Sequence, residues 1–389
     1  MHAENAAQIE RGRYLSLAGD CASCHTARGG QAYAGGRVVP TPFGSIPAPN
    51  LTPDMATGIG GWSADDFYRA LHEGRGKDGQ YLYPAFPYTS YTRVTRPDSD
   101  AIFAYLRSLP PVHSERRDND LRFPYSMRRM MAGWRLFYFT QEEYVADSSQ
   151  SAAWNRGAYL VNGLGHCNDC HSTRNSLGAT VDDPSLAGGM IPMQNWYAPD
   201  LSTKANGGLE GWTTKDIVDL LKTGRSARGT AFGPMAEVVR ESTQHLNDDD
   251  LAAMALYLQS LPARPVPKKD DSPLLGASFV VKGQAVYKDR CASCHGDDGK
   301  GRGDAYPPLA GNTSVVEPIG ANAIRVVLSG GFAPATHGNP RPYSMPPFSQ
   351  QLSDEDVAAV VSYIRQAWTN TAPAVTPDDV RTYRSTPGT

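Results

Sequence analysis

Six cysteines in 389 residues fall in three pairs, Cys21 and Cys24, Cys167 and Cys170, Cys291 and Cys294, and a histidine follows each pair at once: His25, His171 and His295. Two thiols one helical turn apart can bond the two vinyl groups of a single porphyrin. The adjoining imidazole then meets the iron as an axial ligand, which is why the C-x-x-C-H form marks covalent haem attachment. A zinc ribbon would need a second cysteine pair close by in the same small unit, whereas these pairs begin 146 and 124 residues apart. Three copies that consume every cysteine imply three covalently bound haem c groups and leave no thiol for a disulfide or a separate redox pair.

Haem that carries electrons usually has a second axial ligand, commonly methionine, whose soft sulfur favours ferrous iron. Met345, in Tyr343-Ser344-Met345-Pro346-Pro347-Phe348, lies 50 residues beyond His295. Met235, in Gly233-Pro234-Met235, lies 64 residues beyond His171 and outranks Met190 and Met193 because it keeps the place before the last helix of its unit. The first unit has Phe86 in that slot, within Tyr83-Pro84-Ala85-Phe86-Pro87-Tyr88, and phenylalanine cannot bind iron. Either that haem is five-coordinate, or a methionine from outside the slot reaches it: Met131 first, with Met127, Met130 and Met55 as alternatives. His166 and His245 could also serve, although surface or propionate-bonded histidines are commoner. Pro49, Pro199 and Pro308 could each offer a backbone carbonyl to the far nitrogen of a proximal histidine. Trp62 and Trp212 could hold propionates through their indole N–H groups or be large core residues. No residue is assigned a catalytic role.

The elements around these residues repeat. Arg11-Gly12-Arg13-Tyr14-Leu15, Arg156-Gly157-Ala158-Tyr159-Leu160 and Lys282-Gly283-Gln284-Ala285-Val286-Tyr287 each precede a motif as a short helix. Ala48-Pro49-Asn50-Leu51 and Ala198-Pro199-Asp200-Leu201 follow the first two motifs, and Ser63 and Thr213 look like N-caps of amphipathic stretches. Closing helices are expected from Asp100 to Leu109, Asp248 to Leu261 and Ser353 to Trp368, the last opened by a capping box. Strand signals are scarce. Helix, haem loop, irregular segment and helix form the class I cytochrome c pattern, so an all-α chain of three such domains in tandem is expected, each wrapped round its haem. The boundaries read 5–115, 151–262 and 279–370, with linkers at 116–150 and 263–278 and a loosely held polar tail at 371–389.

Composition narrows the classes. A formal charge of −3 offers no cationic excess for nucleic-acid phosphates, and no apolar run is long enough to span a bilayer. Gly296-Asp297-Asp298-Gly299-Lys300-Gly301 lacks the spacing of a phosphate loop. The linker from Leu121 to Phe139 is dense in aromatic, methionine and arginine residues, as suits either a docking surface or packing between the first two domains.

Further marks are Pro40-Thr41-Pro42-Phe43-Gly44, Thr57-Gly58-Ile59-Gly60-Gly61-Trp62, Tyr88-Thr89-Ser90-Tyr91-Thr92, Trp154 to Leu160, Gly233 to Val239 and Ser242-Thr243-Gln244-His245-Leu246. With them the chain resembles the three-haem cytochrome subunit of membrane-bound periplasmic dehydrogenases of alcohol, gluconate, sorbitol and fructose. The resemblance implies a periplasmic electron-transfer subunit at the outer face of the cytoplasmic membrane, open to peripheral association with it. It would take electrons from a quinoprotein or flavoprotein catalytic subunit and pass them to ubiquinone or a terminal oxidase. Related cytochromes serve molybdenum hydroxylases, and an open first haem would instead suit a haem enzyme. Phe86 departs from the family's methionine. The ending Thr382 to Thr389 lacks the family's amphipathic anchor and no leader is visible, so a mature, soluble or trimmed form is expected.

Overall fold

The computed structural model describes residues 2–181, 186–202, 208–262, 277–303 and 305–385; most of the expected 263–278 linker lies outside them. The chain divides into two compact units, one of Met1–Asp169, Arg174–Val181 and Glu241–Tyr257, the other of Cys170–Thr173, Asp182–Arg240 and Leu258–Thr389.

The repeated Gly-containing stretches explain the frame. The His2–Ala18 helix crosses Arg96–Ser108, Ala152–Tyr159 crosses Asp248–Gln259, and Ala277–Arg290 crosses Asp354–Gln366. At the crossings sit Gly12, Gly157 and Gly283, where an added Cβ would lie 1.8, 1.9 and 2.3 Å from the carbonyl oxygens of Ala101, Ala253 and Ala359. Only a residue without a side chain lets the helix axes approach this closely. The cation before each glycine then meets an acid on the partner helix: Arg11 bonds Asp98 at 2.8 Å, Arg156 bonds Asp250 twice at 2.7 and 2.8 Å, and Lys282 lies 3.0 Å from Asp356. The first two pairs also brace each other reciprocally. Tyr14 donates to Asp250 at 2.6 Å and Tyr159 donates to Asp98 at 2.7 Å.

Helix starts follow the local sequence. Ser63, Thr213 and Ser353 each accept from the backbone N–H of an aspartate three residues on, whose carboxylate bonds back to the cap, completing three capping boxes. The all-helical expectation needs a correction, because the haem loops carry small antiparallel sheets. Val38–Thr41 pairs with Gly44–Pro47, which also pairs with Asp120–Leu121; Gly189–Ile191 pairs with Trp196–Ala198; Gly331–Phe332 pairs with Ser344–Met345. These strands are two to four residues long and carry no alternating stretch that a sequence pattern would reveal.

The tail is also corrected. Residues 371–385 pack rather than trail: Val375 and Val380 are buried in the core of Ile324, Val357, Val361 and Ile364, and a Pro377–Arg384 helix ends with Arg384 on Asp354 at 2.6 Å. Fully buried Arg365 fastens this segment, donating to the carbonyls of Pro373, Val315 and Glu317 at 2.7–2.8 Å. Its charge is tolerated because every bond it makes goes to a fixed carbonyl dipole.

Candidate functional site

Each Cys-x-x-Cys-His motif forms one helical turn, Cys21–His25, Asn168–His171 and Ala292–His295. That geometry sets the two sulfurs on one side and the imidazole just beyond them. His25 Nδ1 lies 2.8 Å from the Pro49 carbonyl and His171 Nδ1 2.8 Å from that of Pro199, as the sequence suggested. In the third motif the partner is Pro307 at 3.0 Å, not Pro308, whose carbonyl accepts from Asn312 instead. A carbonyl can only accept, so Nδ1 keeps its proton and Nε2 presents its lone pair. Desolvation lowers the pKa of all three imidazoles, outweighing the opposing pull of these carbonyls, and holds them neutral as ligation requires.

Burial pushes the Cys21 thiol up to about 12 and that of Cys291 to about 11. Burial of this kind disfavours the thiolate that a metal site of free cysteines would need. Among the described residues no group of three or more His, Cys, Asp or Glu side chains could hold a bare metal ion. The donor set therefore fits a covalently held haem.

Two braces escaped the sequence reading. Arg37 donates to the Ser23 carbonyl at 2.5 Å and Arg174 to the Asp169 carbonyl at 2.9 Å, so each grips the residue just before the second cysteine of its motif. A lone arginine in a loop carries no periodic signal that would have singled it out.

The expected methionines sit in different settings. Met345 ends the Ser344–Met345 strand and packs half-buried against the core around Val327 and Val361. Met235 lies half-buried in the first turn of the Pro234–Glu241 helix, after Gly233, which presses on the Trp196 ring. Phe86 meets Tyr91 edge to face, ring centroids 5.4 Å apart. Among the candidates for the first unit, Met55 is 75% and Met130 47% exposed, whereas Met131 is buried at 9% and Met127 half-buried. Trp212 is buried and Trp62 half-buried. His166 stacks on Tyr91, and His245 ends a single turn at Thr243–His245.

The 116–150 segment folds back over the Phe86 loop. Tyr83 donates to the Tyr125 carbonyl at 3.0 Å, Arg128 to that of Tyr81 at 2.8 Å, and the Arg135 guanidinium lies 5.0 Å over Tyr81 and 5.4 Å over Tyr88. Trp134 reaches the Leu177 carbonyl at 3.0 Å, so the same segment also packs against the loop after the second motif.

The cytochrome c family model matches residues 9–110, 155–262 and 280–368. The cytochrome c subunit of a quinone-type alcohol dehydrogenase from Gluconobacter oxydans is 40% identical over 99% of this chain and 84% of its own length. The gluconate 2-dehydrogenase cytochrome c subunit of Pantoea cypripedii is 39% identical over 98% of this chain and 90% of its own. One of the subunits of nicotinate dehydrogenase from Pseudomonas putida is 42% identical over 95% of this chain, which spans 31% of that longer protein. Three motif turns with oriented imidazoles, three matched segments and relatives aligned along nearly the whole chain establish that the protein belongs to the cytochrome c family, beside the cytochrome c subunits of bacterial dehydrogenases.

Proposed function

We propose that the chain is the electron-transfer subunit of a periplasmic dehydrogenase complex, relaying electrons through three haem c groups from a quinoprotein or flavoprotein catalytic subunit to ubiquinone or a terminal oxidase. The single observation that carries this reading is the threefold recurrence of a motif histidine held by a proline carbonyl, at 2.8, 2.8 and 3.0 Å. Cys21, Cys24, Cys167, Cys170, Cys291 and Cys294 bind the porphyrins. His25, His171 and His295 are the proximal ligands, with Met235 and Met345 opposite the second and third. Bound haem supplies one-electron chemistry at iron, and the protein's part is to fix the ligands, exclude water and tune the potential. The first haem takes Met131 as its sixth ligand, supported by that residue's burial in the segment folded over the Phe86 loop.

The alcohol and gluconate dehydrogenase relatives favour a donor that oxidises a CH–OH group. The nicotinate dehydrogenase relative supports a second reading, a molybdenum hydroxylase donor acting on a heteroaromatic substrate. No helix of the described residues is long and apolar enough to cross a membrane. Pyridine haemochrome analysis against protein concentration should give three haems per chain, and reductive titration should return three one-electron steps. Fewer than three haems would sink the relay, and peroxide turnover by the isolated chain would replace it with an enzyme built on the first haem.

A further inference from the structure

The segment folded over the Phe86 loop has a second face that nothing among the described residues covers. Phe123 is 80% exposed, Leu136 80% and Phe137 77%, and Met130 of the same segment is 47% exposed. Residues 116–139 also carry six arginines, Arg116, Arg117, Arg122, Arg128, Arg129 and Arg135, against two acids, Asp118 and Asp120, in a chain whose formal charge is −3. Arg128 and Arg135 are taken up on the inner side by the Tyr83 and Tyr81 rings, whereas Arg116, Arg117, Arg122 and Arg129 are exposed.

We propose that this face docks on an anionic phospholipid surface. Phe123, Leu136 and Phe137 enter the boundary between headgroups and acyl chains, and the arginines around them bond lipid phosphates. Apolar side chains gain by leaving water for that boundary, and a cationic rim is drawn to the negative surface, so each contribution reinforces the other. Two features favour lipid over a protein partner. The three side chains are each more than three-quarters exposed, and the charge excess around them in sequence is of one sign, where protein interfaces pair both. The site lies on the outer side of the segment whose inner side covers the Phe86 loop, so docking brings the first haem domain to the bilayer. This contact does not depend on which dehydrogenase supplies the electrons.

The test uses the full haem-loaded chain and vesicles of phosphatidylcholine alone or of equal parts phosphatidylcholine and phosphatidylglycerol. Sedimentation should bring the protein down with the anionic vesicles, several-fold less with the neutral ones, and less again as salt rises. The triple variant Phe123→Ser, Leu136→Ser, Phe137→Ser should stay in the supernatant with its haem spectrum unchanged, since all three side chains are on the surface. A quadruple change of Arg116, Arg117, Arg122 and Arg129 to Gln should flatten the salt dependence. The proposal falls if the unaltered chain ignores anionic vesicles at low salt, or if the serine variant binds them equally well. It also falls if that variant keeps vesicle binding and loses association with its catalytic subunit, which would make the face a protein interface.

Discussion

The Tyr91 ring stacks on the His166 imidazole, centroids 5.6 Å apart and planes 21° from parallel, while its hydroxyl donates to the Gly19 carbonyl at 2.8 Å. Gly19 stands two residues before Cys21, and His166 directly precedes Cys167. A Cβ at Gly19 would touch Leu164 at 3.4 Å, so the approaches to the first and second motifs abut through one buried aromatic. Electron tunnelling weakens exponentially with the width and emptiness of the gap it crosses, so a packed ring touching the approaches to both motifs would serve as a bridge between the haems they would hold.

Replacing Tyr91 by leucine should therefore slow electron exchange between the first two haems several-fold, while Tyr91→Phe, which keeps the ring and loses the Gly19 bond, should change it little. Flash reduction followed by absorbance relaxation reads the rate. Equal rates in all three proteins, with three haems retained, would show that the stack only packs.

If Met131 is the sixth ligand proposed above, the first haem's spin state turns on it. Met131→Ala should convert one haem of three to a high-spin signal in low-temperature electron paramagnetic resonance of the oxidised protein. The exposed Met55 and Met130, changed to alanine, should leave the spectrum alone. A high-spin signal already present in the unaltered protein would mean an open iron opposite His25.

The three helix crossings give a stability prediction. Gly157→Ala sets a methyl group against the Ala253 carbonyl with no flexible side chain to yield, so the helices must part. Overpacking of this kind costs roughly 1–3 kcal/mol, and the first compact unit should unfold at correspondingly lower denaturant. Gly12→Ala should act likewise. An unchanged midpoint in either would mean that the crossing has slack.

Local chemistry was legible and long-range packing was not. The motif turns and the caps at Ser63, Thr213 and Ser353 were readable because each is settled within a few residues by bonds the chain makes to itself. The carbonyl partners of His25 and His171 were readable because their loops share a sequence pattern. The third loop is much shorter, with 12 residues from His295 to Pro307 against 24 and 28 in the others, and its register slipped by one. The tail was misread because its anchors, Val375, Val380 and Arg384, find partners in helices set well before them, and a polar composition says nothing of that. The reciprocal bonds of Tyr14 and Tyr159 were invisible for the same reason, since the repeat marked both residues but not what each would reach.

The last prediction concerns pH. Glu317 is fully buried, and burial pushes its carboxyl up to about 8 from an ordinary 4.5, against the pull of Arg365 and of the Asn322 N–H, which it accepts at 2.6 Å. Its other oxygen meets no hydrogen-bond partner among the described residues. Below 4.5 the folded and unfolded chains both hold the proton, so the site's stability is fully present. Between 4.5 and about 8 the unfolded chain releases the proton while the fold retains it, and stability drains away as pH rises through that window. Glu317→Gln keeps an oxygen for Asn322 and removes the titration. Urea midpoints for the second compact unit should fall from about pH 5 to about pH 8.5 in the unaltered chain and fall less in the variant, which should be the more stable of the two at the alkaline end. Parallel curves would mean that the carboxylate is solvated or paired when charged, and that the bond from the Asn322 N–H tolerates either form.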